Sequence, residues 1–229
     1  MWDVIVQTLP FLLEGFVNTI IISLAAIAGG SLIGLAFGVL RAVGPRSVST
    51  LLAGYVHAIR ATPILVQVYI VYYVLPATGA SLFDLGSFSA AVIALTIYTS
   101  SYATEVVRGA LQAVPKGQWE GAAAVGMSKR QMLAHVILPQ AWKLMLPPLA
   151  GTYVLVIKGT SILSVIGVVE LMREGHDAIH RHPADIMPIL CLCAALYFAY
   201  CFPILRAIRH LERRLGGSRP RSVVIGAAW

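Results

Sequence analysis

Charge is what this sequence has least of. Only 12% of its residues are Asp, Glu, Lys or Arg, against about 25% in a soluble domain, and 58% are hydrophobic. No water-soluble fold of 229 residues hides that much apolar surface, so lipid is the expected solvent. Cysteine is scarce as well. Cys191, Cys193 and Cys201 share one apolar run, are odd in number and lack metal-ligand spacing, which excludes a disulfide framework and leaves small buried hydrophobes. No Ser/His pair, metal quartet or pair of carboxylates within one span is present, so neither an enzyme nor a metal site is expected. The Gly-x-x-x-x-Gly-Lys-Ser/Thr phosphate loop is missing, so the chain does not bind ATP in that way. No basic segment precedes the first apolar run, where Asp3 and Glu14 stand instead, and no signal peptide is expected. There is no internal repeat.

What the sequence does have is long apolar runs. Five candidate spans fall at about 16–40, 55–76, 88–110, 145–170 and 186–205, each near the ~20 residues that cross a bilayer. The expected fold is therefore an all-α membrane protein with an interfacial segment over 1–15, a membrane domain over 16–212 and a tail over 213–229. Net charge is +7, but the basic residues stand between apolar spans, which points to topology and lipid headgroups and against nucleic acid. Thirteen of the 17 Lys and Arg collect in the first loop, the long third loop and the C-terminal tail, against two on the other side. The positive-inside rule then puts the N-terminus outside and the C-terminus in the cytoplasm. Ala26, Gly30, Gly34 and Gly38 repeat every fourth residue in the first span and predict a close helix contact.

The longest inter-span segment, 112–143, is expected in the cytoplasm. Residues 118–125 favour helix, and Gly126 can take the left-handed conformation that ends one. Ser128 with Gln131 three residues on matches a capping box for a second helix, expected to stop near Pro139. Ala122 to Ala124 leave a slim ridge suited to a groove on another protein.

These residues resemble the signature loop of permease subunits of ATP-binding-cassette importers: Glu120-Gly121-Ala122, then Gly126, then Ile137-Leu138-Pro139. Gly121 departs from the family's alanine. Arg60-Ala61-Thr62-Pro63-Ile64-Leu65-Val66-Gln67, Val114-Pro115-Lys116-Gly117-Gln118, Leu138-Pro139-Gln140-Ala141 and Lys158-Gly159-Thr160-Ser161-Ile162 resemble its polar amino-acid branch, with Gly159 in place of an Asp. The resemblance covers about 16–215 and implies the type I importer transmembrane fold in a bacterial inner membrane. It further implies a second permease, identical or paralogous, two ATPase subunits that use ATP and Mg, an external binding protein and a polar amino acid as cargo. Gln118, Glu120, Gly121, Ala122, Gly126, Lys129 and Pro139 would then couple to the ATPase.

Polar residues within spans are functional candidates by their cost. Tyr98, Ser101, Glu105, Arg108 and Gln112 share an arc of roughly 80° at helical spacing. Two readings stand for this face: Tyr98, Ser101 and Glu105 line the substrate path, or Glu105 and Arg108 stabilise a helix end. Lys158, with Thr160 and Ser161, either pairs with Glu105 or meets a substrate carboxylate. Gln67 is a further path candidate, and Arg60 is expected to snorkel to the cytoplasmic surface. His176, His180 and His182 read as a solvated outer loop, with Glu170 and Glu174 beside them. A self-sufficient secondary transporter or channel using Glu105 and Lys158 is the competing function.

Overall fold

A computed structural model describes residues 2–80 and 85–214, so the tail beyond 214 lies outside the described residues. All described secondary structure is helical. Helix α1 (Trp2–Val43) runs unbroken for 42 residues, so the segment expected at the interface is continuous in helix with the first span. Pro10, inside it, does not break it.

The second span is bent. Helices α2 (Arg46–Ala61) and α3 (Ile64–Tyr69), with the π-turn Ile70–Val74, meet at 106°. Pro63 lacks the N–H that would continue the ladder, and it biases Thr62 to extended backbone (φ −105°, ψ 142°). Helix α4 (Ser87–Ala113) is the central element: over half of its most apolar window is buried, against 17% for that of α9. Helices α5 (Lys116–Ala124) and α6 (Lys129–Gln131) form the loop. Then α7 (Leu138–Gly159), the 3-10 turn Thr160–Ile166, α8 (Leu171–Arg181) and α9 (Ile186–Arg214) complete the chain. Four helical stretches are long and apolar enough to cross a bilayer, or five if the bent pair counts as one span.

The expected stop at Pro139 does not occur. A π-turn over Met132–Ile137 carries the chain from α6 into α7, so apolar helix is continuous from Lys129 to Ile166. Pro139 sits in the first turn of α7, where a missing N–H is tolerated, and the Gln140 side chain donates to the Val136 carbonyl (2.8 Å).

Lipid tails are as apolar as leucine, so helices associate here by packing and hydrogen bonds. The glycine stripe of α1 finds its partner in α4. A Cβ on Gly30 would lie 2.5 Å from Thr99 Cβ, on Gly34 2.3 Å from Ala103 Cβ, and on Gly38 2.5 Å from Val107 Cβ. The backbones touch because nothing stands between them. Hydroxyl pairs add ties across helices: Ser31 to Tyr153 (2.8 Å), Ser23 to Tyr200 (3.1 Å) and Tyr55 to Ser100 (2.6 Å). One core joins Ile22, Val68, Leu95, Val156 and Leu163; a second joins Val107, Leu111, Ile137 and Met145 at the loop end. A third fastens α8 between Leu12 and Ile189.

Candidate functional site

The loop is built as its sequence spacing predicts, up to the π-turn. Val114 is extended ahead of Pro115, which opens α5. Gly126 takes φ +79°, its N–H reaches the Ala123 carbonyl (3.0 Å), and Met127 N–H reaches that of Ala122 (3.2 Å). That pair of bonds is a Schellman closure, which a side chain at position 126 would strain. Ser128 and Gln131 then form both halves of the capping box. Gln140 donates to Gln118 Oε1 (2.9 Å), tying the start of α5 to α7. Trp119 and Leu133 pack on the loop-end core, and Ala122 is buried. The bent pair is therefore a rigid body fixed to two spans.

Its other face is bare. Glu120, Gly121 and Ala124 are exposed, and Val125 is 73% exposed. A Cβ added to Gly121 would meet nothing within 4 Å. Glu120 has no hydrogen bond or ion pair among the described residues. Lys129 and Pro139 are exposed too.

Glu105 pairs with Arg41 and with Arg108 (2.9 and 3.1 Å), and Arg108 Nη1 donates to Gln112 (2.6 Å). The considered pairing with Lys158 is absent. Glu105 lies ~12 Å from the loop end of α4, whereas Lys158 lies ~30 Å along α7, so the two sit at different depths. Arg41 was missed as a partner because it counts as a loop charge. Its signal is register: it follows Gly38 by one helical turn on the stripe that α4 covers.

Lys158 and Ser161 instead line a cavity of about 530 Å³ between α7 and α9, with Tyr197, Phe198 and Cys201. Thr160 is buried behind it and donates to the Ile157 carbonyl (2.8 Å), with Tyr197 Oη 3.5 Å away. The structure thus gathers Lys158, Thr160 and Ser161 at the point where α7 tightens to a 3-10 turn, and places Glu105 elsewhere. Ser101 is fully buried and donates to the Tyr98 carbonyl (2.8 Å). The Tyr98 ring lies tilted against that of Tyr102 (4.8 Å between centroids), and the Arg60 guanidinium lies over the Tyr102 ring (4.8 Å).

Gln67 closes the bend in the second span. Its Nε2 donates to the Ile59 carbonyl (2.6 Å), the acceptor that Pro63 would have served, and to the Thr62 carbonyl (3.0 Å). Its Oε1 is buried and has no hydrogen-bond partner among the described residues.

The segment 171–185 is not a plain loop. Glu170 is fully buried and caps α8, accepting from Met172 N (2.9 Å) and Arg173 N (2.7 Å), with Tyr197 Oη at 3.4 Å. Burial raises its carboxyl to about 7 despite these bonds. Leu171, Met172, Ala178 and Ile179 at helical spacing were the available signal. His176 and His180 sit exposed on α8.

Apolar helices long enough to cross a bilayer, joined by a rigid loop with one bare face, make this a membrane-spanning subunit. A profile of the binding-protein-dependent transport system inner membrane component family matches residues 30–217, and the chain belongs to that family. It is 37% identical over 216 residues to the L-cystine transport system permease protein of Bacillus subtilis, covering 93% of this chain and 91% of that one. It is 36% identical over 214 residues to the glutamine transport system permease protein of Escherichia coli, covering 93% and 97%. Among solved structures, the crystal structure of an amino acid ABC transporter with histidines aligns at a TM-score of 0.82 with 31% identity, covering 92% of this chain and 96% of that one. The fold is that of type I importer membrane domains, as expected.

Proposed function

We propose that this chain is the permease subunit of an ATP-driven importer that takes polar amino acids from an external binding protein and moves them across a bacterial inner membrane. The bare, slim face of the loop carries the reading. A rigid element anchored by Gln118, Trp119 and Ala122, bent at Gly126, and open at Glu120, Gly121, Lys129 and Pro139, is built to be gripped. An ATPase pair burning ATP with Mg grips it from the cytoplasm, and closure of that pair tilts α4 and α7 as rigid bodies between outward and inward access. The N-terminus lies outside and the C-terminus inside. A second permease, identical or paralogous, completes the path.

Within the path, Lys158 and Ser161 offer a cation and a hydroxyl to a substrate carboxylate, with Thr160 and Tyr197 behind them. Tyr98, Ser101 and Gln67 shape the wall. Glu105 serves as a clamp between α1 and α4. It is committed to two guanidiniums and lies far from Lys158, which weighs against a self-sufficient proton-coupled transporter. Co-purification tests the grip. The wild-type chain retains its ATPase, and Glu120→Lys loses it while staying in the membrane; equal retention by both contradicts the reading.

A further inference from the structure

The cavity between α7 and α9 has a one-sided charge. Lys158 is the only charged residue in its lining, beside Ser161, Tyr197 and an apolar wall that includes Met172, Phe198 and Phe202. Lys158 is exposed and has no ion pair or side-chain hydrogen bond among the described residues. A carboxylate does come near, but from behind. Glu170 is fully buried, accepts from Met172 N (2.9 Å) and Arg173 N (2.7 Å), and is not part of the lining. Tyr197, which is, holds its Oη 3.4 Å from Glu170 Oε2 and so stands between that acid and the cavity.

Charge, not size, decides what fits. At about 530 Å³ the cavity is larger than any single amino acid, so volume excludes none. A zwitterion can place its carboxylate at Lys158 and its α-ammonium against the faces of Tyr197 and Phe198. A basic side chain brings a second cation and finds no carboxylate in the wall to meet it. Held within about 8 Å of Lys158, that cation lowers affinity by roughly tenfold or more.

We infer that this cavity selects cargo by charge: it accepts amino acids with uncharged side chains, carboxylate to Lys158, and rejects basic ones. The inference rests on the proposed importer function, in which Lys158 meets the substrate carboxylate. It adds a selection made by the permease itself, separate from that of a binding protein.

Equilibrium dialysis of radiolabelled glutamine and arginine against the purified full chain reads the cavity without an ATPase or a binding protein. Wild type should bind glutamine at least about tenfold more tightly than arginine. K158Q should weaken glutamine and strengthen arginine, opposite movements that a merely structural lysine would not produce. Ser161→Asp, which adds a carboxylate to the lining, should favour arginine over glutamine. Size exclusion confirms that each variant is folded. Arginine bound as tightly as glutamine by wild type, or weakened along with it by K158Q, overturns the charge selection and leaves the cavity as the cargo site. Glutamine binding unchanged in both variants, or no saturable glutamine binding to wild type, overturns the selection and the cargo site together.

Discussion

Glycines at two places in this molecule stay small for opposite reasons. At Gly30, Gly34 and Gly38 the missing Cβ is replaced by α4 of the same chain, 2.3–2.5 Å from where that Cβ would be. At Gly121 the missing Cβ faces nothing within 4 Å, on a helix that is otherwise pinned by Gln118, Trp119 and Ala122. The first set is satisfied within the subunit. The second keeps a groove-fitting ridge slim on a surface this chain leaves open. Small residues thus mark both an internal seam and, under the proposed function, an external handle, and only the structure separates the two.

Swapping the same side chain into each region breaks the comparison most sharply. Gly34→Leu should destabilise by about 3 kcal/mol or more, because two backbones must part. Gly121→Leu should shift stability by less than about 1 kcal/mol, since an exposed helix position gains propensity and loses no packing. Thermal unfolding of both purified variants in detergent checks this; equal shifts would erase the distinction.

Gln67→Leu comes next. It removes the donor that serves two carbonyls freed at Pro63, so the bend should loosen at about 1–3 kcal/mol. Hydrogen exchange over α2 and α3 should rise, while the α1–α4 seam stays protected. Unchanged exchange would mean that the bend holds without the amide.

A further effect is set by pH. Glu170, at the end away from the loop, has its carboxyl raised from 4.5 to about 7 by burial, with Glu174 also repelling it. Glu174 is itself raised, by burial first and Asp177 next, and Glu14 on α1 faces the same cluster. A raised acid binds its proton more tightly when folded. The stability it lends is therefore full below pH 4.5 and lost as pH climbs through about 7, up to about 3 kcal/mol in all. Glu170→Gln removes that dependence. The wild type's melting advantage over Glu170→Gln should shrink between pH 5 and pH 8; a constant difference would show no such titration.

Much of this was legible before any coordinates. Hydropathy marks the spans, and the Gly126 and Ser128–Gln131 spacings mark the loop, because caps are local chemistry. The interrupted second span was not legible as a 106° bend, since hydropathy sums ignore direction and Pro63 alone does not set an angle. Pro139 reads as a stop only if the ladder before it is α-helical; the π-turn Met132–Ile137 changes that register. Glu105 found Arg41 and not Lys158 because pairing depends on depth and helix crossing, which the glycine stripe fixes only once α4 is known to cover it. Helix α8 was hidden by its histidines, which dilute a real apolar face.

The most direct test of the handle is uptake by vesicles that hold this chain with its ATPase and binding protein. Wild type should accumulate amino acid only when ATP is hydrolysed, and Gly121→Leu, folded and inserted, should lose uptake and ATPase stimulation together. Accumulation without the hydrolase, or full uptake by Gly121→Leu, would contradict the account.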